Sequence, residues 1–491
     1  MKYKIISIAT LGIILSGCSF FSPEYKKPNI NAPVNWESQD IEKLTGESSL
    51  PDLAWWEKFN DPQLNILIND GLKNNNNIQM AMGNILQAQA SIEKSNYSWL
   101  PTVGIGGTAF TGQAFNPSFT NKSSIPTPGS LPDTGSQKFS GYSAGFVPTY
   151  SLNIMRQIKI GEVADFNLAS QIQAKNAIRL AVISQISGSY FTYLGLKKQL
   201  NLQQKMLFDA KQAKKYIQVQ YDNGSVSSSN LMGIDQMIAT LNIQIPSIEN
   251  KLTNVQNALQ VLTDKNPGKI ITHNNFDNIK TNGIIPSHLP SEVLKSRPDI
   301  AMAENQLKLS NANIGAAASK FFPSISLTGM LGGLSAQLTN LFSLGTNFWA
   351  ASLGAAMPIL DMGIFADIKK SKGSYYSAFY NYIQTVRTAF AQVDNGLSQH
   401  STINQSYTQQ KIALESAEEQ YRLSTVMYEL GQISYLQTLL SKMNVDYMKS
   451  DLNKYKMQQM DSIVNLYDVF GGGYNVDNEL EFKKFNDEHD V

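Results

Sequence analysis

Four stretches of this chain alternate apolar and small or polar positions with a period of two. The alternation is cleanest in Ser324-Ile325-Ser326-Leu327-Thr328, and from Trp349 to Met357 every second residue is apolar. Thr102 to Thr111 and Phe139 to Ser151 repeat the pattern more weakly. The pattern predicts strands at about 102–111, 139–151, 323–332 and 347–359, each long enough to cross a hydrocarbon layer. Elsewhere apolar residues fall in steps of three and four, as at Ile183, Ile186, Tyr190, Tyr193, Leu196 and Leu200. That run, from about Met155 to Gln220, contains no proline and would reach on the order of 100 Å as one helix. Arg387 to Leu430 repeats it, and helices of this length need neighbours along their whole extent, as in a coiled coil. A further helix is expected from Asp61-Pro62, which supplies a cap and a first-turn proline, to about Ser98; Asn74 to Asn77 weaken it locally.

The same order of elements occurs twice. Tyr221-Asp222-Asn223-Gly224-Ser225-Val226-Ser227 returns 207 residues later as Tyr428-Glu429-Leu430-Gly431-Gln432-Ile433-Ser434. Each block sits where a long helix should stop at a glycine and turn back, with Ser227 and Ser434 placed to cap the returning helix. Pro246 should kink the first returning helix. The strand pattern alone fits membrane strands and a pair of ordinary soluble hairpins alike; the fold class expected once loops and neighbours are included is mainly α with a membrane β-barrel, built from a duplicated helix–strand–strand–helix unit.

The N-terminus reads as an address. Lys2 and Lys4 precede an apolar run from Ile5 to Leu15, and Leu15-Ser16-Gly17-Cys18 follows, so residues 1–17 are expected to be a signal peptide. Cys18 is the only cysteine, which excludes an intrachain disulfide and a zinc–thiolate site. Its setting looks like a bacterial lipobox, implying cleavage before Cys18 and acylation there, with Ser19 next to it fitting the outer membrane. Residues 18–60, rich in proline and tryptophan, read as an acylated extended arm, and 475–491 as a loose tail. Charged residues make up 16% against roughly 25% in an average soluble protein, and a net charge of +1 gives no reason to expect nucleic acid. No run after residue 18 is long and apolar enough for a transmembrane helix, so a span must be made of strands. Four strands cannot close a barrel, and open edges in lipid are costly, so copies must pool them.

An enzyme needs convergent polar groups. His273, His288, His400 and His489 are far apart and lack metal-ligand spacing, and neither a nucleotide loop nor a nucleophile elbow is present. Neither enzymatic activity, nor a metal, nor a cofactor beyond the covalent lipid on Cys18 is expected.

The run Trp55-Trp56-Glu57-Lys58-Phe59-Asn60-Asp61-Pro62-Gln63-Leu64 resembles the start of the mature core in TolC-type outer-membrane efflux lipoproteins of the OprM/NodT branch. So do Trp99-Leu100-Pro101, the Pro358-Ile359-Leu360-Asp361 turn, and the signature Arg297-Pro298-Asp299-Ile300 with Glu304. The resemblance implies a first repeat over 61–288 and a second over 289–474. It implies a homotrimer whose four strands per chain form a shared twelve-stranded barrel in outer-membrane lipid, continued by long helices as a periplasmic tunnel. Partners implied are a periplasmic membrane-fusion adaptor and an inner-membrane transporter of the RND type, with drugs or other small toxic compounds passing through. A type I protein-secretion channel and a non-conducting surface lipoprotein are the alternatives. Relatives also narrow the tunnel at the helix turns, which assigns the aperture to Tyr221, Asp222, Gly224, Asp235, Tyr428, Glu429, Gly431, Gln437 and Leu440. Relatives often carry aspartates where this chain has Gln437 and Leu440, so closure by hydrogen bonds and apolar contact is expected here. Asp222, Asp235 and Glu429 read most plainly as solvated tip charges. After the second strand, Leu152-Asn153-Ile154-Met155-Arg156 departs from the usual Asp-Leu-x-Gly-Arg.

Overall fold

The computed structural model describes residues 24–31, 50–115, 136–270, 274–279 and 295–476. Cys18 with the signal segment, most of the loop between the first two strands, and nearly all of the C-terminal tail lie outside them. In chain order the elements are α1 (Pro62–Asn74), α2 (Asn76–Tyr97), β1 (Thr102–Phe115), β2 (Ser136–Leu152), α3 (Ile154–Asp222) and α4 (Ser228–Leu262). They continue as α5 (Pro298–Ala318), β3 (Ser324–Ser335), β4 (Asn347–Ala356), α6 (Met362–Glu429) and α7 (Tyr435–Phe470), with short 3-10 turns between. No helix among the described residues is long and apolar enough to cross a membrane. Contacts divide the chain into two compact units, each drawing on both sequence halves.

The first unit, made of residues up to 26, 89–166 and 308–377, holds an antiparallel sheet in the order β1-β2-β3-β4. Register sets its chemistry. Ile105 pairs with Phe146, Phe146 with Leu331 and Leu331 with Trp349, so four large apolar side chains form one row across the sheet. They are 84%, 56%, 62% and 74% exposed, which no water-facing sheet would choose. Val103, Leu327 and Leu353 share that face by the alternation of strand residues. The opposite face carries Thr102, Thr149, Thr328 and Ser352 in register, with Thr102 and Thr149 hydroxyls 2.7 Å apart. The aromatics near the strand ends split between the faces. Trp349 lies on the apolar row, whereas the pairing puts Phe110, Phe139 and Phe348 on the other side. There Phe110 and Phe139 cover Gly141 and Gly112, whose missing side chains leave the space. β2 and β4 each feed a helix through an Asx cap. Asn153 Oδ1 accepts from Arg156 N at 3.0 Å at the start of α3, and Asp361 Oδ1 from Gly363 N at 2.7 Å at the start of α6. Asn153 thus caps without the acid that the pattern usually supplies.

The second unit, residues 27–88, 167–307 and 378 onward, is helical. α1 starts where Asp61 Oδ1 accepts from the amides of Gln63 and Leu64, while Oδ2 accepts from the Tyr190 hydroxyl at 2.8 Å. Burial, reinforced by that carboxylate, pushes the Tyr190 phenol well above its ordinary value. The single helix expected to Ser98 is instead two. Asn75 takes an extended conformation, accepts from Asn77 N through Oδ1 and donates Nδ2 to Leu262 O at 2.9 Å, so local side-chain bonding outcompetes the helix. The core gathers Trp55, Trp56 and Phe59 with Ile68, Ile186, Tyr190, Met460 and Tyr467. Trp55 stacks on Tyr467 with centroids 4.5 Å apart and donates its indole N–H to Gly472 O.

Candidate functional site

The two glycine blocks fold alike. α3 and α6 run to Asp222 and Glu429, and Gly224 and Gly431 take left-handed conformations at φ 71° and 70°. Ser225 N donates to Gln220 O and Gly224 N to Tyr221 O; Gln432 N to Met427 O and Gly431 N to Tyr428 O repeat the pattern. Both turns are therefore Schellman ends. They differ in the return: Ser434 Oγ accepts from Gln437 N at 3.3 Å, whereas Ser227 makes no side-chain cap bond.

Behind the turns, α3, α4 and α7 pack Met206, Ala210, Ile217, Ile234, Leu241 and Leu439 into one cluster. Tyr435 is the aromatic joint: its ring lies 4.1 Å from Tyr216 on α3 and 5.4 Å, edge-on, from Tyr428 on α6. Of the residues that the resemblance assigns to an aperture, Asp235 pairs with Lys214 at 2.6 Å and Asp222 accepts from Gln218 Nε2 at 2.9 Å. Both pairs lie at the solvent-exposed surface. Tyr221, Glu429 and Gln437 are exposed, and Leu440 is 51% exposed beside buried Leu439.

Four residues that sequence reasoning missed lie one step deeper. Lys205 and Asp209 on α3 cross with Lys442 and Asp446 on α7: Lys205 Nζ is 3.0 Å from Asp446 Oδ1 and Lys442 Nζ is 2.7 Å from Asp209 Oδ1. The available sign was Lys-x-x-x-Asp written on both helices inside an otherwise apolar stripe. Nothing local says that the two copies meet.

The signature residues act far from the turns. Arg297 donates to Val469 O at the end of α7, to Gln392 Oε1, and through two nitrogens to Asp299. Pro298 is the first residue of α5, and Asp299 Oδ1 takes the Ile300 amide. Glu304 accepts from Lys27 Nζ at 2.6 Å, which pins residues of the N-terminal arm to α5.

A sheet with one apolar exposed face, fed by helices of 69 and 68 residues, defines an outer-membrane channel subunit. The sequence model of the family described as outer membrane efflux protein matches residues 67–264 and 289–472, and this chain belongs to that family. "Probable outer membrane lipoprotein SilC" of Salmonella typhimurium is 28% identical over 482 residues, covering 96% of this chain and 99% of its own. "Probable efflux pump outer membrane protein TtgC" of Pseudomonas putida is 27% identical, covering 96% of each. Among solved structures, the open state of the Neisseria gonorrhoeae MtrE outer membrane channel superposes with a TM-score of 0.79 at 24% identity, covering 93% of this chain and 99% of its own. The chain is an outer-membrane efflux channel.

Proposed function

We propose that three copies of this chain assemble into the exit duct of a tripartite pump, held at the outer membrane by lipid on Cys18. The duct passively conducts drugs or other small toxic compounds delivered by an RND-type transporter through a periplasmic adaptor, and it catalyses no reaction. The carrying observation is the row Ile105–Phe146–Leu331–Trp349 on a sheet whose outer strands, β1 and β4, have no further partner among the described residues. Such edges leave backbone groups unsatisfied in lipid, so a second and third sheet must close them. Twelve strands then make a wall with a polar interior. Cys18 acylation is supported by the lipobox and by the lipoprotein name of the SilC relative. The aperture is assigned to the turns bearing Tyr221, Asp222, Gly224, Asp235, Tyr428, Glu429, Gly431, Gln437 and Leu440, because each is the reversal point of a long helix pair. Conductance across planar bilayers tests the reading, with native mass measurement in detergent giving three chains. A monomer that leaves the bilayer silent overturns it.

A further inference from the structure

Within the helical unit a cleft of about 600 Å³ opens between α3, α5 and α6, a volume in the range of small-molecule sites. Its lining is polar where a seam between helices is usually apolar. Five amide side chains converge on it: Gln171 from α3, Gln306 from α5, and Asn381, Gln384 and Gln392 from α6. Ser170, Thr385 and Thr388 add hydroxyls, and Ala174, Met302 and Ala303 a small apolar share. Asp299 is the one ionisable group of the lining, and it is already engaged, accepting from two nitrogens of Arg297 and from the Ile300 amide. Two of the amides are held in complementary senses. Gln392 Oε1 accepts from Arg297 Nη2 at 2.8 Å, which leaves its NH2 group to donate. Gln384 Nε2 donates to Thr388 Oγ1 at 3.2 Å, which leaves its carbonyl oxygen to accept. The two stand about 12 Å apart along α6.

We propose that this cleft is a low-affinity site, on the passage side of the wall, for neutral solutes of the saccharide type, rich in hydroxyl and amide groups. The proposal deepens the reading of the chain as an exit duct and rests on it for the side of the wall. Glu304, which holds Lys27 of the arm, and Gln306, which lines the cleft, are two residues apart on α5 and so point roughly 160° apart around its axis. The arm leads back to Cys18, and acyl chains there belong in the bilayer, so the arm runs along the outside of the wall. The cleft, on the other side of α5, opens inward.

The lining selects the class of solute. An ion that leaves water needs a countercharge, and the Arg297–Asp299 pair already neutralises itself. An aromatic compound needs apolar area to cover, and among the described residues no aromatic side chain lines the cleft. A polyhydroxyl solute instead exchanges bonds to water for bonds to amides that both donate and accept. Each exchange yields little net, so the affinity is weak. Weak binding is what a passage requires, since a solute must leave as readily as it enters.

The experiment uses the full acylated channel and N,N′-diacetylchitobiose, a neutral disaccharide that carries hydroxyl and acetamide groups. Binding is read by saturation-transfer NMR on the folded protein in detergent, and passage by current across planar bilayers. The disaccharide should bind and, over the same concentrations, reduce the current; tetrabutylammonium and naphthalenesulfonate should bind about tenfold more weakly. Gln306→Leu and Gln384→Leu, both at exposed positions, should each weaken disaccharide binding about five- to tenfold at unchanged melting temperature. Gln399→Leu, exposed on the same α6 but outside this cleft, should leave binding as it was. Gln384→Glu keeps the accepting oxygen and adds a charge, so it should retain the disaccharide and gain tetrabutylammonium. Absence of saturation transfer, tighter binding of either ion, or a loss in Gln399→Leu as large as in the two cleft variants overturns the site. Binding that the cleft variants weaken, with a current that ignores the disaccharide, upholds the site and overturns its place on the passage. A protein that conducts nothing counts against the duct, and the NMR comparison of variants then decides the site by itself.

Discussion

Glycine is required at the turns for its backbone, and at the end of α7 for its backbone and its size together. At Gly431 an added Cβ meets nothing within 4 Å, so Gly431→Ala carries only the left-handed strain, about 1–2 kcal/mol. At Gly471, φ is 75° and a Cβ would stand 2.6 Å from Ser296 O, so overpacking adds a further ~1–3 kcal/mol. Melting in detergent should rank Gly471→Ala clearly below Gly431→Ala, and equal melting would refute the packing account. His400 offers a pH test at the same scale. It is buried between α6 and α7, its Nδ1 paired with Ser462 Oγ at 2.7 Å and its Nε2 with Asn404 Nδ2 at 2.6 Å. Asn404 Oδ1 is already engaged by Gln459 Nε2, so the amide cannot turn to receive a second imidazole N–H without breaking that bond. Burial lowers the His400 value below the ordinary 6.5. The unfolded chain thus takes up the proton first, and stability present above that ordinary value falls as pH drops from it toward the lowered one. His400→Gln should flatten this part of the melting-versus-pH curve; an unchanged curve would show that the loss arises elsewhere.

At the scale of elements, the Trp55–Phe59 turn acts as a plug. Trp55 and Trp56 are fully buried, and Gly473, at φ 92°, has room for Trp56 only because it lacks a Cβ. Trp55→Ala should therefore cost about 3–5 kcal/mol, the range for emptying a large aromatic site, while exposed Trp99→Ala should cost little. A small loss at Trp55, read by melting or protease resistance, would mean that α7 holds without the stack on Tyr467. The elements most legible in the sequence were those fixed by neighbours in the chain: the long helices by their period, their ends by Gly224 and Gly431, the strands by alternation. The break at Asn75 was harder to read, because it depends on a bond to Leu262, far along the chain. Which face each aromatic took was set by register between strands, which alternation within one strand does not specify. The Lys205–Asp446 and Lys442–Asp209 crossing is the extreme case, since each half is an ordinary i,i+4 pair until the two helices meet.

For the whole molecule, function turns on whether the sheet stands in lipid, and two adjacent residues test that directly. Leu327 and Thr328 are neighbours on β3, so they share depth, strand and local backbone. Alternation sends them to opposite faces: Leu327 pairs with Tyr150 and Leu353 on the apolar side, Thr328 with Thr149 and Ser352 on the polar side. An arginine on the lipid side of a barrel costs up to about 2–4 kcal/mol, falling toward the interfaces, whereas one on the lumen side remains in water. Leu327→Arg should therefore reduce the yield of folded protein in the membrane. Thr328→Arg should assemble normally and instead shift conductance toward anions, since a cationic ring then lines the passage. A soluble hairpin would tolerate both equally, because both side chains would meet water. The reverse outcome, with Thr328→Arg blocking assembly and Leu327→Arg altering ion selectivity, would turn the sheet inside out. It would place the row from Ile105 to Trp349 in the lumen and leave the threonines facing lipid, and the duct would lose its basis in the register.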